Sequence, residues 1–293
     1  MAGQHRSTTV AERLRLKSGE LTAAERKLMA TLFANYPMAG LVSITEFARE
    51  ADVSTPSVLR LAKKIGFPGF PAFQEQLRAE LSAQLQNPIA KHDRWSAAAP
   101  DAHILNRFAR AAMENLSGSL KLLDHRAFDS IVALLADRKR QVAIMGGRIT
   151  QALAIYLQTH LQMARPGVSL IAPVPPQWPL HLLDMTKGDV VVCFDIRRYD
   201  ARMLEFAALA KERGIKIVLI TDQWISPIAR LAVHSLPLRI EAPSSWDSNI
   251  VPLFVAEALV AATVNAGWAE TEGRIQDRSE ERRVGKECVR LCR

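Results

Sequence analysis

Cysteine is nearly absent from this chain, at 3 residues in 293. That excludes the disulfide framework of a small secreted domain and fits a reducing compartment. Cys193 sits in the apolar run VVVCF, where a cysteine reads as a small buried hydrophobe. Cys288 and Cys292 have too few histidines or cysteines nearby to complete a zinc site, so no metal is expected. Long apolar runs are missing as well. The longest, Ile250–Val264, contains Pro252 and Glu257 and is short for a membrane span, so a buried helix is expected there. The N-terminus is polar and charged, unlike a secretory signal. These absences predict a soluble, cytoplasmic protein with no membrane partner and no cofactor.

A third absence is local. From Val53 to Lys64 there is no acidic residue, although the chain holds 30 Asp and Glu. Net charge of +8 and a pI near 9.7 fit a polyanionic partner, but that charge is spread along the chain. The informative part is therefore the local run Arg60, Lys63, Lys64. Upstream, Ile44, Phe47, Ala48 and Ala51 recur at helical spacing, and Asp52-Val53 falls where a turn belongs. Thr55-Pro56 opens a second helix with a capping hydroxyl and a proline at the first helical position. Val58, Leu61, Ala62 and Ile65 form its inward stripe, which leaves Ser54, Thr55, Ser57, Arg60, Lys63 and Lys64 outside. This is the layout of a helix-turn-helix, whose second helix enters the DNA major groove. A helical hairpin with a solvated basic face would show the same pattern.

The composition supports a large core, with 48% hydrophobic residues, and 293 residues suit two domains. Residues 1–19 are polar and expected to be loosely ordered; helical patterns then run to about Leu85. Residues 86–103 mix proline, alanine and charge without periodicity, as an interdomain linker does. Two amphipathic helices follow, roughly Ile104–Leu122 and Arg126–Ala136. From there QVAIMGG, VSLIAPV, GDVVVCFDI, IKIVLITD and AVHSLPLRI read as strands separated by helical stretches. Continuously apolar strands alternating with helices predict a parallel sheet covered on both faces. Such sheets bind ligands at the carboxyl ends of their strands. Here those ends are Gly146-Gly147-Arg148, then Asp195 to Asp200, then Thr221-Asp222-Gln223. His181 and His234 stand alone on apolar stretches and read as structural.

LTAAERKLMATLFANYP, followed by SITEFAREADVSTPSVLRLAKKIGFPGFPAFQEQLRAEL, resembles the N-terminal domain of the RpiR/MurR family of bacterial transcription regulators. Ser43, Glu46, Ala48, Ala51, Val53, Ser54, Ser57, Val58 and Arg60 match one signature run. Lys63, Gly66, Phe67, Gly69, Phe70 and Phe73 match the next. The likeness spans roughly residues 20–81, with the three phenylalanines assigned to the core. The C-terminal half, about residues 105–268, is similar to the sugar isomerase (SIS) domain that usually follows in that family. The strand-to-glycine turn near Gly146 and the unit GDVVVCFDIRRYDARMLEFAALAKERGIKIVLITD carry this second likeness.

The resemblance implies a fold of class α + α/β. An all-helical helix-turn-helix domain over 1–85 precedes a linker over 86–103. A doubly wound parallel-sheet SIS domain over 104–270 would bind an effector and dimerise. A charged tail, 271–293, reads as an appended segment with no assigned function. The implied partners are double-stranded operator DNA and a second copy of the chain, as a homodimer or homotetramer. Arg60 is the candidate for a base-edge contact, because arginine pairs bidentately with guanine. Ser54, Thr55 and Ser57 are candidates for bases or phosphate, and Lys63 and Lys64 for phosphate.

SIS domains that bind phosphosugars usually present hydroxyls and backbone N–H groups in two serine-rich loops, and this chain departs from that pattern. Gly147, Arg148 and Thr150 occupy the first loop, with Thr150 keeping a hydroxyl; Asp195, Arg197, Arg198 and Asp200 replace the second. Guanidinium forks pair with carboxylate or phosphate, so a small anionic effector is expected: a sugar phosphate, a sugar acid or another carboxylate. Asp195, Asp200 and Asp222 would orient the arginines or meet ligand hydroxyls, and Asp247 and Ser248 are second-rank candidates. The competing possibility is that Arg197 and Arg198 merely pair with Asp195 and Asp200. Two further functions stay open: a DNA-binding dimer with a purely structural SIS domain, and a sugar-phosphate isomerase.

Overall fold

The computed structural model describes residues 8–86, 88–89, 91–92 and 103–276. Cys288, Cys292 and most of the expected linker and tail lie outside them. Five helices build the N-terminal domain: α1 (Val10–Leu16), α2 (Ala23–Ala34), α3 (Ile44–Glu50), α4 (Thr55–Lys64) and α5 (Phe70–Leu85). The first helix corrects the expectation of loose order before residue 20. Thr9 and Glu12 form a reciprocal capping box, with Glu12 N–H donating to Thr9 Oγ1 at 3.1 Å and Thr9 N–H to Glu12 Oε2 at 2.9 Å. Val10, Ala11 and Leu14 are buried behind it, and the Val10 N–H donates to Glu80 of α5 at 2.8 Å.

The helix-turn-helix is α3 and α4. Asp52 turns the chain between them in the left-handed region, at φ 51°, a conformation that aspartate tolerates better than most residues. Phe47 of α3 stacks on Phe70 and Phe73 with centroids 6.4 Å apart, and Phe67 meets Phe73 edge-on at 5.8 Å. The phenylalanines after the recognition helix are thus core. Burying each is worth roughly 1.5–3 kcal/mol. The α4 cap is Ser54, one residue earlier than expected, with Pro56 in the first turn.

The second domain contains α6 (Ile104–Leu120), α7 (His125–Ala136), β1 (Val142–Gly146), α8 (Gln151–Ala164), β2 (Val168–Leu170) and α9 (Trp178–His181). It continues with β3 (Val190–Asp195), α10 (Ala201–Glu212), β4 (Lys216–Asp222), β5 (His234–Leu238) and α11 (Ile250–Ala266). The strands pair in parallel in the order β2-β1-β3-β4-β5. Apolar side chains from α7, α8 and α11 cover one face, and Trp178, Leu182 and the Met203, Phe206 and Ala210 row of α10 cover the other. Coverage on both sides is why β1 and β3 are buried at every residue. The strand order reverses between β1 and β3, which places the binding crevice beyond Gly146 and Asp195. Among the described residues no single helix is long and apolar enough to cross a membrane.

The two domains touch through more than the chain that joins them. Arg239, just past β5, sends Nε to Glu12 Oε1 at 2.6 Å and Nη2 to Oε2 at 2.9 Å. Ile225, in the loop after β4, is buried in the same apolar cluster as Phe47, Leu61 and Phe73. A β-branched residue at φ 61° is an uncommon conformation, here held by that burial.

Candidate functional site

Gly146 ends β1 against the start of α8. A Cβ there would lie 2.5 Å from the Thr150 carbonyl oxygen, so only glycine lets strand and helix meet this closely. Thr150 is buried and fully engaged: its hydroxyl donates to the Phe194 carbonyl at 2.7 Å and accepts from the Gly147 N–H at 2.7 Å. The hydroxyl of this first loop thus ties β1 to β3.

Beyond these strand ends lies a cavity of about 280 Å³. Of the ten candidate effector residues, Gly147, Arg148, Thr150, Asp195, Arg197, Arg198, Asp200 and Asp247 line it. Asp222 and Ser248 do not. Asp222 is fully buried and accepts from the Arg197 N–H at 2.6 Å, the Tyr199 hydroxyl at 2.8 Å and the Trp224 N–H at 2.8 Å. Burial pushes its carboxyl up to about 6 despite those bonds. It shapes the loop and does not line the cavity. Ser248 lies just before the α11 N-cap, Asn249, and its hydroxyl accepts from the Ile250 N–H at 3.2 Å.

Arg197 dominates the cavity. Its side chain is 4% exposed and its guanidinium stacks over the Trp224 ring, 4.2 Å from the centroid. Nε lies 3.1 Å from Asp247 Oδ2, and Nη2 lies 3.7 Å from Glu241 Oε1. These are ion pairs, the Nη2 approach being too long for a hydrogen bond, and Nε, Nη1 and Nη2 are buried without one. Arg148 and Arg198 are exposed at the rim, Arg198 at φ 63°.

The pairing of Arg197 and Arg198 with Asp195 and Asp200 does not form. Asp195 takes the Ser226 hydroxyl, and burial pushes its carboxyl up to about 7. Asp200 caps α10 and pairs with Arg202 at 2.6 Å, whose guanidinium holds its carboxyl below the ordinary range.

The cavity residues outside the sequence candidates include Lys91, Gln86, Trp246 and Arg202. Lys91, from the expected linker, is 1% exposed with its ammonium 2.6 Å from Asp247 Oδ1. Burial lowers its affinity for a proton, against the pull of Asp247. Beside the crevice, a larger hollow of about 510 Å³ separates Leu85 and Gln86 at the end of α5 from the loops at Tyr199 and Pro227.

On the other domain, α4 exposes Arg60 and Lys63. Ser57, expected outside, is buried. Its hydroxyl receives Arg60 Nη2 at 2.8 Å and sits 3.0 Å from the Ser54 hydroxyl, one turn before it on the helix. Ser57 therefore aims Arg60. Lys64 turns back onto α2: its ammonium lies 2.5 Å from Glu25 and donates to the Glu20 carbonyl at 3.1 Å. Burial raises the Glu25 carboxyl, but the bonds from Lys64 and Thr22 outweigh it and hold it below the ordinary range. His181 and His234 line neither cavity.

A helix-turn-helix domain joined to an open α/β sheet with a charged crevice defines the class, and the comparisons agree. Residues 8–84 match the rpiR-family helix-turn-helix domain, and residues 134–262 match the SIS domain. The HTH-type transcriptional regulator HexR of Pseudomonas aeruginosa is 30% identical over 85% of this chain and 86% of its own length. The chain belongs to the rpiR family of transcription regulators. The bifunctional protein glk of Burkholderia orbicola is 26% identical over 92% of this chain but only 42% of that protein. Among solved structures, the sugar isomerase domain of an RpiR transcription factor from Sphaerobacter thermophilus is 20% identical. It covers 61% of this chain and 99% of its own, with TM-score 0.58. The Vibrio vulnificus NanR protein, complexed with ManNAc-6P, is 19% identical over 92% of this chain and 97% of its own, with TM-score 0.53.

Proposed function

We propose that this protein is a cytoplasmic, operator-binding regulator whose SIS domain takes a small anionic effector in the crevice between β1 and β3. The observation that carries the effector reading is Arg197, a buried cation with three guanidinium nitrogens lacking hydrogen bonds at the wall of a cavity. An unmade buried hydrogen bond costs about 1–3 kcal/mol, and all three guanidinium nitrogens of Arg197 bear that cost beside a cavity. A carboxylate or phosphate oxygen arriving in the crevice supplies the missing acceptors in bidentate geometry. Arg148, Arg198 and Arg202 add positive charge at the rim, and the cavity suits a molecule of sugar-phosphate or sugar-acid size.

DNA is read by α4. Arg60, aimed by Ser57, meets a base edge, and Lys63 meets phosphate. A dimer presents two such helices to a pseudo-palindrome. Effector binding regulates only if it differs in strength between DNA-competent and incompetent arrangements. Isomerase activity is disfavoured, since the crevice carboxylates Asp195 and Asp200 are already held by Ser226 and Arg202.

The test is a thermal-shift screen of sugar phosphates, sugar acids and carboxylates, with a hexosamine 6-phosphate included because NanR is complexed with ManNAc-6P. Wild type is run beside the Arg197→Ala, Arg198→Ala double variant. A ligand that raises the melting temperature of wild type only supports the anion site. A silent screen favours a structural SIS domain.

A further inference from the structure

Asp247 is held between two cations that belong to different parts of the chain. Oδ1 lies 2.6 Å from the Lys91 ammonium, and Oδ2 lies 3.1 Å from Arg197 Nε. Arg197 follows β3 in the SIS domain. Lys91 comes five residues after Gln86, the C-cap of the last helix of the DNA-binding domain. Both cations are nearly fully buried, and both line the crevice. A lysine is almost never buried to 1% exposure on its own account, because losing its hydration costs several kcal/mol.

Gln86 lines the same crevice with its side-chain oxygen buried and without a hydrogen bond. A carboxylate gripped by an arginine and a lysine is the arrangement an anionic ligand would make in a basic pocket. Here the chain's own side chain makes it, with the arginine's hydrogen-bonding directions still open.

We propose that Lys91 and Arg197 together form the anion subsite of this crevice, and that Asp247 is an internal carboxylate which the effector's anionic group displaces. This rests on the effector reading above and adds a partner to it: the subsite takes one cation from the segment leaving the DNA-binding domain. The bound anion then bridges the end of α5 to the SIS sheet. The same anion that loads the crevice therefore fixes where the reading helix sits, and by linkage any DNA geometry that withdraws Lys91 weakens effector binding. Arg148, Arg198 and Arg202 at the rim remain to orient the rest of the molecule.

The experiment is isothermal titration of the full chain with inorganic phosphate, a hexose 6-phosphate, a six-carbon sugar acid and a simple dicarboxylate, in wild type, Lys91→Met, Lys91→Arg, Asp247→Asn and Arg197→Met. Expected is a loss of about tenfold or more in Lys91→Met, recovery in Lys91→Arg, and a gain of about five- to tenfold in Asp247→Asn, as the competing charge disappears. A gain cannot come from misfolding, so Asp247→Asn keeps the test decisive if Lys91→Met is damaged. Binding within twofold of wild type in Lys91→Met, with loss in Arg197→Met, overturns the shared subsite and leaves the effector reading standing. Loss of affinity in Asp247→Asn overturns the displacement. No binding by any of the proteins, or unchanged binding in Arg197→Met, overturns both readings.

Discussion

Two arginines in this molecule face a place where an anion would sit, and they are held in opposite ways. Arg60 stands in solvent on α4, steadied by a single hydroxyl from Ser57. Arg197 is buried on a tryptophan ring between two carboxylates. The difference is the one that the two proposed partners call for. A DNA backbone brings many charges, so an exposed cation gains from a dense, salt-sensitive field without leaving water. A single small anion brings one or two charges, and a low-dielectric wall makes each count for more. The exposed arginine costs the fold nothing, whereas the buried one is part of the fold.

The sharpest way to break that contrast is to remove both in turn. Arg197→Ala leaves Asp247 and Glu241 without their guanidinium. With 16% and 17% side-chain exposure, the carboxylates keep some hydration, so the expected loss is about 2–4 kcal/mol in denaturant melts. Arg60→Ala is expected to leave stability within about 0.5 kcal/mol of wild type. It weakens binding to a selected operator fragment by about ten- to a hundredfold, measured by fluorescence anisotropy. Equal melting losses for the two variants would erase the distinction.

A smaller effect tests the carboxylates around the buried arginine. Asp195 titrates at about 7 and Asp222 at about 6, both above an unfolded aspartate. Their contribution is fully present below the unfolded value and fades as pH rises through the folded one, so stability declines from about pH 4 toward 7. Asp195→Asn should raise the melting temperature more at pH 8 than at pH 5, since the Ser226 hydroxyl still finds an acceptor. An equal shift at both pH values would place the proton elsewhere.

The smallest effect separates neighbours. Lys63→Ala should lower the slope of log affinity against log salt by about one. Lys64→Ala should leave that slope unchanged and cost under about 1 kcal/mol, because Lys64 is committed to Glu25.

Much of the scaffold was legible in the sequence. Apolar periodicity located α3, α4 and the strands, because core contacts repeat at the period of the element that makes them. The strand ends were legible too, since a doubly wound sheet puts its crevice at a fixed topological place. What was not legible lies across long sequence separations. Lys91 meets Asp247 156 positions away, and neither neighbourhood marks the pairing. A segment of mixed composition reads as a linker even when one of its side chains is buried in a site. Ser57 was misplaced for a different reason. Polarity put it outside, but a hydroxyl that bonds to Ser54 and Arg60 on its own helix can be buried. The α1 capping box is written in the sequence as Thr9-Val10-Ala11-Glu12, but its polar ends mask the short apolar face between them.

Ile225 has a consequence for how the molecule comes apart. The loop after β4 carries, in adjacent positions, Trp224 beneath the crevice arginine, Ile225 inside the helical core, and Ser226 on Asp195. The helical domain therefore borrows a side chain from the other half of the chain. Cut at the linker, it would keep every helix and lack one piece of its interior, while the remaining half would present an isoleucine to water. Scanning calorimetry on the intact chain should show one heat-absorption peak, where two separately stored domains would give two.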